Sequence, residues 1–322
     1  MRSKLLLPAG TLRTILACAI LVLASTRAFP ADLQEDTAKA YDRYIQASEA
    51  RMARDRERPG TFLHIETLPA AAQQQIWAAL KRGEVWVYPL VTEEPGGKEI
   101  RAPHGTITHW AGDAFFPGAN IDQVLSIILD FDHLSNIYKP EIVQSRLVDR
   151  QGGIYRAFVR MHKDTPWVNP TFNVDWQGST QRLNPKHASC RMVSTRIAQV
   201  ENAGQSDEHE DSVGRDGGYL WRLNTYWRLE ERDGGVVGEW EAITLSRDIP
   251  FLLRWLVRPF VDRLARQTIR DTLVATRNEA AKRRKSARLE RSPAQDVSPA
   301  CRPEPPAGLR KRLARSLAFA PP

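Results

Sequence analysis

Cysteine is scarce: three in 322 residues, at positions 18, 190 and 301. Cys18 lies in an apolar N-terminal run and Cys301 in a basic tail, which leaves Cys190 alone in the body. That spacing excludes a disulfide framework, a zinc-finger-like ligand set and a redox pair. The chain also lacks Ser, His and Asp at nucleophile-elbow or triad spacing, and it lacks a phosphate-binding glycine loop. Neither an internal repeat nor a strand–helix–strand alternation is present, which argues against a parallel sheet. Nothing in the sequence calls for a cofactor.

Positive charge in the body is lacking too, although the net charge is +8. Residues 1–28 carry +4 and residues 276–322 carry +8, so residues 29–275 stand at −4. A basic tail is not a basic domain, and a nucleic-acid partner has no support. Arg2 and Lys4 precede an apolar run over residues 14–24, followed by Thr26 and Ala28 at small-residue cleavage positions. This pattern predicts a secretory signal peptide over residues 1–28 and a periplasmic or secreted protein. A retained anchor over residues 5–24 is the rival, interrupted by Pro8, Gly10 and Arg13. Residues 286–322 read as a disordered basic, Pro-rich tail.

What is present is organised around residues 219–283. Residues 219–229 alternate in type and are rich in aromatic and branched side chains, as a half-buried strand requires. Residues 230–235 supply a Gly-rich turn, and residues 236–246 the return strand. With Asp233-Gly234 as the turn, Trp227 faces Trp240, Thr225 faces Ala242 and Leu223 faces Thr244; this side is the candidate interior. The other side pairs Arg228 with Glu239 and Tyr226 with Glu241, which reads as a solvated ladder. After Pro250, apolar residues recur at three- and four-residue steps through Leu253, Leu256, Val257, Phe260, Leu264, Thr268, Ile269 and Leu273. Pro259 predicts a kink or a split there, with the main helix running to about residue 282.

Upstream, residues 32–58 read as a polar helix with Tyr41, Tyr44, Ile45 and Met52 along one side, and residues 69–81 as a second helix. Together residues 29–103 form an N-terminal helical extension packed on a main domain at residues 104–285. Within that domain, Asn120 and Gln123 form a capping box ahead of a helical pair over residues 121–137. Strands are predicted at residues 105–116, 142–149, 154–162, 171–177 and 191–200, with a mobile polar loop over residues 201–215. The plan is α+β: seven strands with the helices segregated.

This order of elements resembles the START-related helix-grip superfamily, which includes lipid-transfer proteins and polyketide cyclases, over roughly residues 105–283. The stretch at residues 121–140 resembles its first helical pair, and residues 218–272 resemble the closing hairpin and helix of its uncharacterised secreted bacterial members. The resemblance implies a curved antiparallel sheet wrapped around the C-terminal helix, with a cavity between them for a lipid or other hydrophobic small molecule. Trp227, Trp240, Leu223, Thr225, Ala242, Leu253, Leu256 and Phe260 are the candidate lining. Arg196 either enters the cavity and pairs with a carboxylate such as Glu241, or is an exposed sheet arginine. Tyr226 and Glu241 are a candidate acid/base pair for a cyclase-type reaction, against the simpler reading of a cross-strand surface pair. His133 with Asp130 and Asp132 is read as helix capping rather than as a metal centre. Residues 251–257 combine Phe, Leu and Trp with an arginine, suited either to a membrane-docking edge or to a buried helix start.

Overall fold

The computed structural model describes residues 31–165, 168–250 and 254–291. These fall in two units, one ending at Lys282 and the other beginning at Arg283. The described part of the second unit is the continuation of the final helix. The predicted signal peptide and the tail beyond residue 291 lie outside the described residues.

The first unit begins with β1 (Ala31–Asp32), α1 (Glu35–Glu57), a 3-10 turn (His64–Thr67) and α2 (Ala70–Lys81). It continues with β2 (Trp86–Pro89), β3 (Gly105–Pro117), α3 (Ile121–Ile128) and α4 (Leu134–Ile137). Then come β4 (Ile142–Gln151), β5 (Ile154–His162), β6 (Thr171–Asn184), β7 (His187–Glu201), β8 (His209–Glu210) and β9 (Arg215–Asp216). The closing unit is β10 (Arg222–Arg232), β11 (Gly235–Arg247) and α5 (Arg254–Arg291).

Nine strands make one antiparallel sheet in the order β2-β3-β11-β10-β7-β6-β5-β4, with β8 added on β7. Seven of them are the predicted strands; β2 comes from the N-terminal extension. β8 and β9 lie in the stretch read as a mobile loop, where β8 pairs with β7 and β9 with β1. Strands of two residues are too short to carry a detectable period, so sequence patterning does not reveal them.

The hairpin register is the one the turn predicts. Leu223 pairs with Thr244, Thr225 with Ala242 and Trp227 with Trp240. Asp233 and Gly234 take φ of +52° and +74°, the left-handed geometry of a two-residue hairpin turn. The Asn120 side chain accepts from Gln123 N, and Gln123 Oε1 accepts in return from Asn120 N. This closes the predicted capping box at the start of α3.

Both faces of the sheet are covered. One packs against α3, α4 and α5 around Val124, Ile127, Trp227, Ile269 and Leu273. The other lies under α1, whose Tyr41, Tyr44, Ile45 and Met52 pack on Tyr226, Ile243 and Leu245. Next to it, Phe62, Leu63, Ile65, Ile76 and Leu80 gather around Val237. α5 is a single helix with Pro259 inside it, not two segments. Pro259 is the sixth residue of the helix, past the first turn, so the helix forgoes the backbone bond that an N–H there would give to the carbonyl of residue 255. Gly112 sets how closely α5 can approach: a Cβ there would lie 2.6 Å from Ile269 Cγ2 and 2.9 Å from Trp86 O. Side chains at this position are incompatible with the observed helix-to-sheet distance.

Candidate functional site: a cavity between sheet and helix

Alternation along β10 and β11 points one set of side chains toward α5 and the other toward α1. The α5-facing set borders a cavity of about 560 Å3. Leu223, Thr225 and Trp227 from β10, and Trp240 and Ala242 from β11, line it, as do Val257, Phe260, Leu264 and Thr268 from α5. Phe131 and Tyr138 close one side from the α3–α4 region, and Phe172, Trp176 and Met192 contribute from β6 and β7. Trp227 and Trp240 stack across the strand pair with ring centroids 5.9 Å apart, giving a flat apolar wall. The lining is predominantly apolar, with threonines at intervals on the strands, as in cavities that hold hydrophobic ligands with a few fixed polar groups.

One part of the lining is a polar cluster. Lys163 Nζ forms an ion pair with the Glu141 carboxylate and donates to Thr268 Oγ1 at 2.7 Å. Thr268 Oγ1 donates in turn to the Leu264 carbonyl at 3.0 Å. Nearby, Tyr138 Oη and Thr276 Oγ1 share a hydrogen bond of 3.0 Å. Glu141 and Lys163 flank the paired strands β4 and β5, outside any periodic pattern, and residue order alone gave no signal for them.

Of the residues predicted to line the cavity, Leu223, Thr225, Trp227, Trp240, Ala242 and Phe260 do border it. Leu253 lies outside the described residues, as does the side chain of Leu256. Three predicted positions are elsewhere. Arg196 is on the outer surface, paired with Glu210 and 3.9 Å from Asp175, so the exposed-arginine reading is the correct one. Tyr226 and Glu241 face α1 on the opposite side of the sheet from the cavity, and both are buried. An acid/base pair there has no access to a cavity ligand, and the solvated ladder is not solvated.

That outer face holds a dense polar network. Arg228 Nε donates to Glu239 Oε1 at 2.6 Å, and Arg228 Nη1 donates to the Phe62 carbonyl at 3.1 Å. Glu239 Oε2 accepts from His64 N at 2.7 Å. Glu241 bonds Arg51 from α1 and His109 Nε2 at 2.7 Å, while His109 Nδ1 and Tyr44 Oη are 2.9 Å apart. Tyr226 Oη donates to Glu49 Oε1 at 2.8 Å. Burial opposes ionisation of Glu241, but His109, Arg51 and Arg228 outweigh it and hold the carboxyl well below the usual range. Burial, then Glu239, pushes Asp113 up, and burial with Arg51 and Arg228 lowers His64 to about 4. The tyrosine stripe on α1 was legible as a face needing cover, but a charged strand face reads the same whether it meets solvent or a helix.

Cys190 is buried in β7, and burial pushes its thiol up to about 12, which makes it unreactive. Asp132 Oδ1 accepts from Leu147 N, and His133 Nδ1 lies 2.7 Å from Asp130 Oδ1. Among the described residues, no group of three or more His, Cys, Asp or Glu side chains is placed to hold a metal ion. No helix among them is long and apolar enough to cross a membrane.

No protein-family model matches the chain, and no curated protein sequence matches it. Among solved structures it is similar to a STAR-related lipid transfer protein from Xanthomonas axonopodis, at 13% identity and TM-score 0.40, over 60% of this chain and 98% of that one. It is also similar to the Zhui aromatase/cyclase from Streptomyces sp. R1128, at 16% identity and TM-score 0.37, over 56% of this chain and 98% of that one. Human STARD10 is similar at 9% identity and TM-score 0.38, over 69% of this chain and 85% of that one. With an antiparallel sheet closed by a β10–β11 hairpin on a long C-terminal helix, and two short helices after its first long strand, the chain has a helix-grip arrangement.

Proposed function

We propose that this protein binds a lipid or other hydrophobic small molecule in the cavity between β10–β11 and α5, and carries it rather than transforming it. The single observation behind this reading is the apolar cavity of about 560 Å3, walled by Trp227, Trp240 and Phe260. Burying apolar ligand surface there is favourable by about 25 cal/mol per Å2. A cyclase-type reaction is the weaker reading, because its named acid/base pair, Tyr226 and Glu241, is sealed beneath α1. In our reading the predicted leader at residues 1–28 directs the carrier to the periplasm or the exterior. Trp255, 71% exposed at the start of α5 and close to the cavity-lining Val257, supports brief contact with a membrane surface during loading.

The test is native mass spectrometry of protein purified from its host's envelope fraction, with organic extraction of whatever accompanies it. A stoichiometric isoprenoid, sterol-like or acyl lipid is the expected result. A protein that arrives empty and takes up nothing from a lipid panel would overturn the proposal.

A further inference from the structure

We infer that the ligand carries a single uncharged hydroxyl head group, received by Glu141, Lys163 and Thr268. This rests on the carrier reading above and specifies the chemistry of its cargo.

Glu141 and Lys163 form an ion pair within the cavity wall, with side chains 24% and 20% exposed. The backbone holds both in place: His162 N donates to the Glu141 carbonyl at 2.8 Å, and Lys163 N donates to the Pro170 carbonyl at 3.0 Å. An ammonium has three N–H donors. Among the described residues, Glu141 and Thr268 take two of them, which leaves the third for a ligand. The Thr268 hydroxyl hydrogen is committed to the Leu264 carbonyl, so its oxygen is a fixed acceptor.

A ligand hydroxyl suits this arrangement because it accepts from Lys163 and donates to Glu141 at once. A carboxylate or phosphate would bring a second anion against Glu141, and an amine a second cation against Lys163. Among the described residues, the rest of the wall supplies no net charge to compensate. Its charged side chains are Lys139, Lys163 and Arg247 against Glu141, Asp248 and Asp271, a balanced set. Electrostatic complementarity therefore disfavours an ionic head group of either sign.

Size narrows the remainder of the molecule. A cavity of roughly 150 Å3 accommodates benzene, so about 560 Å3 takes the equivalent of about four such rings. One alkyl or isoprenoid chain, or a fused-ring body, fits against the Trp227–Trp240 wall. Two acyl chains with a phosphate head group do not.

The experiment titrates the purified full chain with dodecan-1-ol, dodecane, dodecanoate and dodecyl phosphate, read by the change in total intrinsic tryptophan fluorescence, to which the cavity-lining Trp110, Trp176, Trp227 and Trp240 contribute. The alcohol is expected to bind about tenfold or more tightly than the alkane, the value of a hydrogen bond to a charged group. It is also expected to exceed both anions. Lys163→Met and Glu141→Gln should each bring the alcohol-to-alkane ratio toward one, and Thr268→Val should lower it in the same direction if either charge variant fails to fold. Equal binding of alcohol and alkane would overturn the inference while leaving the carrier reading intact. Tighter binding of either anion would also overturn it. Failure of all four probes, together with an empty protein in the envelope preparation, would overturn both.

Discussion

His109 Nε2 and Glu241 Oε1 meet at 2.7 Å between the sheet and α1, with both side chains almost wholly sealed from solvent. Glu241 also holds Arg51 of α1, so one carboxylate ties the N-terminal helix to the outer face of the strand pair that walls the cavity on its inner face. Replacing Glu241 by Gln leaves Arg51 and Arg228 without their shared counter-charge. The expected cost is about 3 kcal/mol, typical of removing one partner from a buried ion pair. Urea unfolding at neutral pH measures it. The native carboxyl is depressed below its ordinary 4.5, so its stabilisation is present above pH 4.5 and is lost as pH falls toward the native value. The variant should accordingly differ least from wild type in acid.

Glu230 has the opposite sign. Burial, then Glu66, raises its carboxyl from 4.5 to about 7, against a weaker pull from Arg232. The folded state holds that proton more tightly than the unfolded chain, so the contribution is complete below pH 4.5 and is lost as pH rises through about 7. Glu230→Gln should raise stability by about 1 kcal/mol at pH 8, after discounting for partial solvent access, and should change little at pH 4. Thermal unfolding at the two pH values checks it.

Filling the cavity separates binding from folding. Ala242 borders the cavity opposite Thr225 on the neighbouring strand. Ala242→Phe places a ring in space that is already open, so the unfolding free energy from urea titration should change by less than ~1.5 kcal/mol. Uptake of a hydrophobic ligand should fall at least tenfold, read by the amount of lipid that co-purifies.

Gly112→Ala tests how α5 is seated. The added methyl would meet Ile269 Cγ2 at 2.6 Å and Leu273 Cδ1 at 3.0 Å on the helix, and Trp86 O on the neighbouring strand. The expected loss is about 2 kcal/mol, as for other overpacked core sites, measured by urea unfolding. The same change at the exposed turn glycine Gly152, where a Cβ meets no atom within 4 Å, strains only its φ of +56°.

Arg196 bears on the outer surface alone. Its partners Glu210 and Asp175 are themselves partly exposed, so Arg196→Ala should shift stability by no more than about 0.5 kcal/mol and leave ligand uptake unchanged.

Local chemistry made much of this protein legible in its sequence. The Asp233-Gly234 turn set the β10–β11 register, and two-residue periodicity then put Trp227, Thr225 and Ala242 on one side. The capping box at Asn120 and Gln123, and the apolar stripe of α5 from Val257 to Leu273, were readable because caps and helical periods depend on residues a few positions apart. What covers the second face of a strand does not. Arg228, Glu239 and Glu241 alternate with the apolar set as a solvated ladder would, and only the packing of α1 and of the segment at Phe62 and His64, more than 160 residues away in sequence, turned that ladder into a buried network. The pairing of Glu141 with Lys163 and Thr268 is of the same kind. Each residue is unremarkable in its own segment, and the polar cluster in the cavity lining exists only where two strand ends meet the helix. Sequence by itself determined the elements, the hairpin register and which strand face is apolar, since these follow from neighbouring residues. Tertiary structure alone decided which polar residues are buried, which face the cavity and which are left to solvent, because burial depends on what the rest of the chain brings against them.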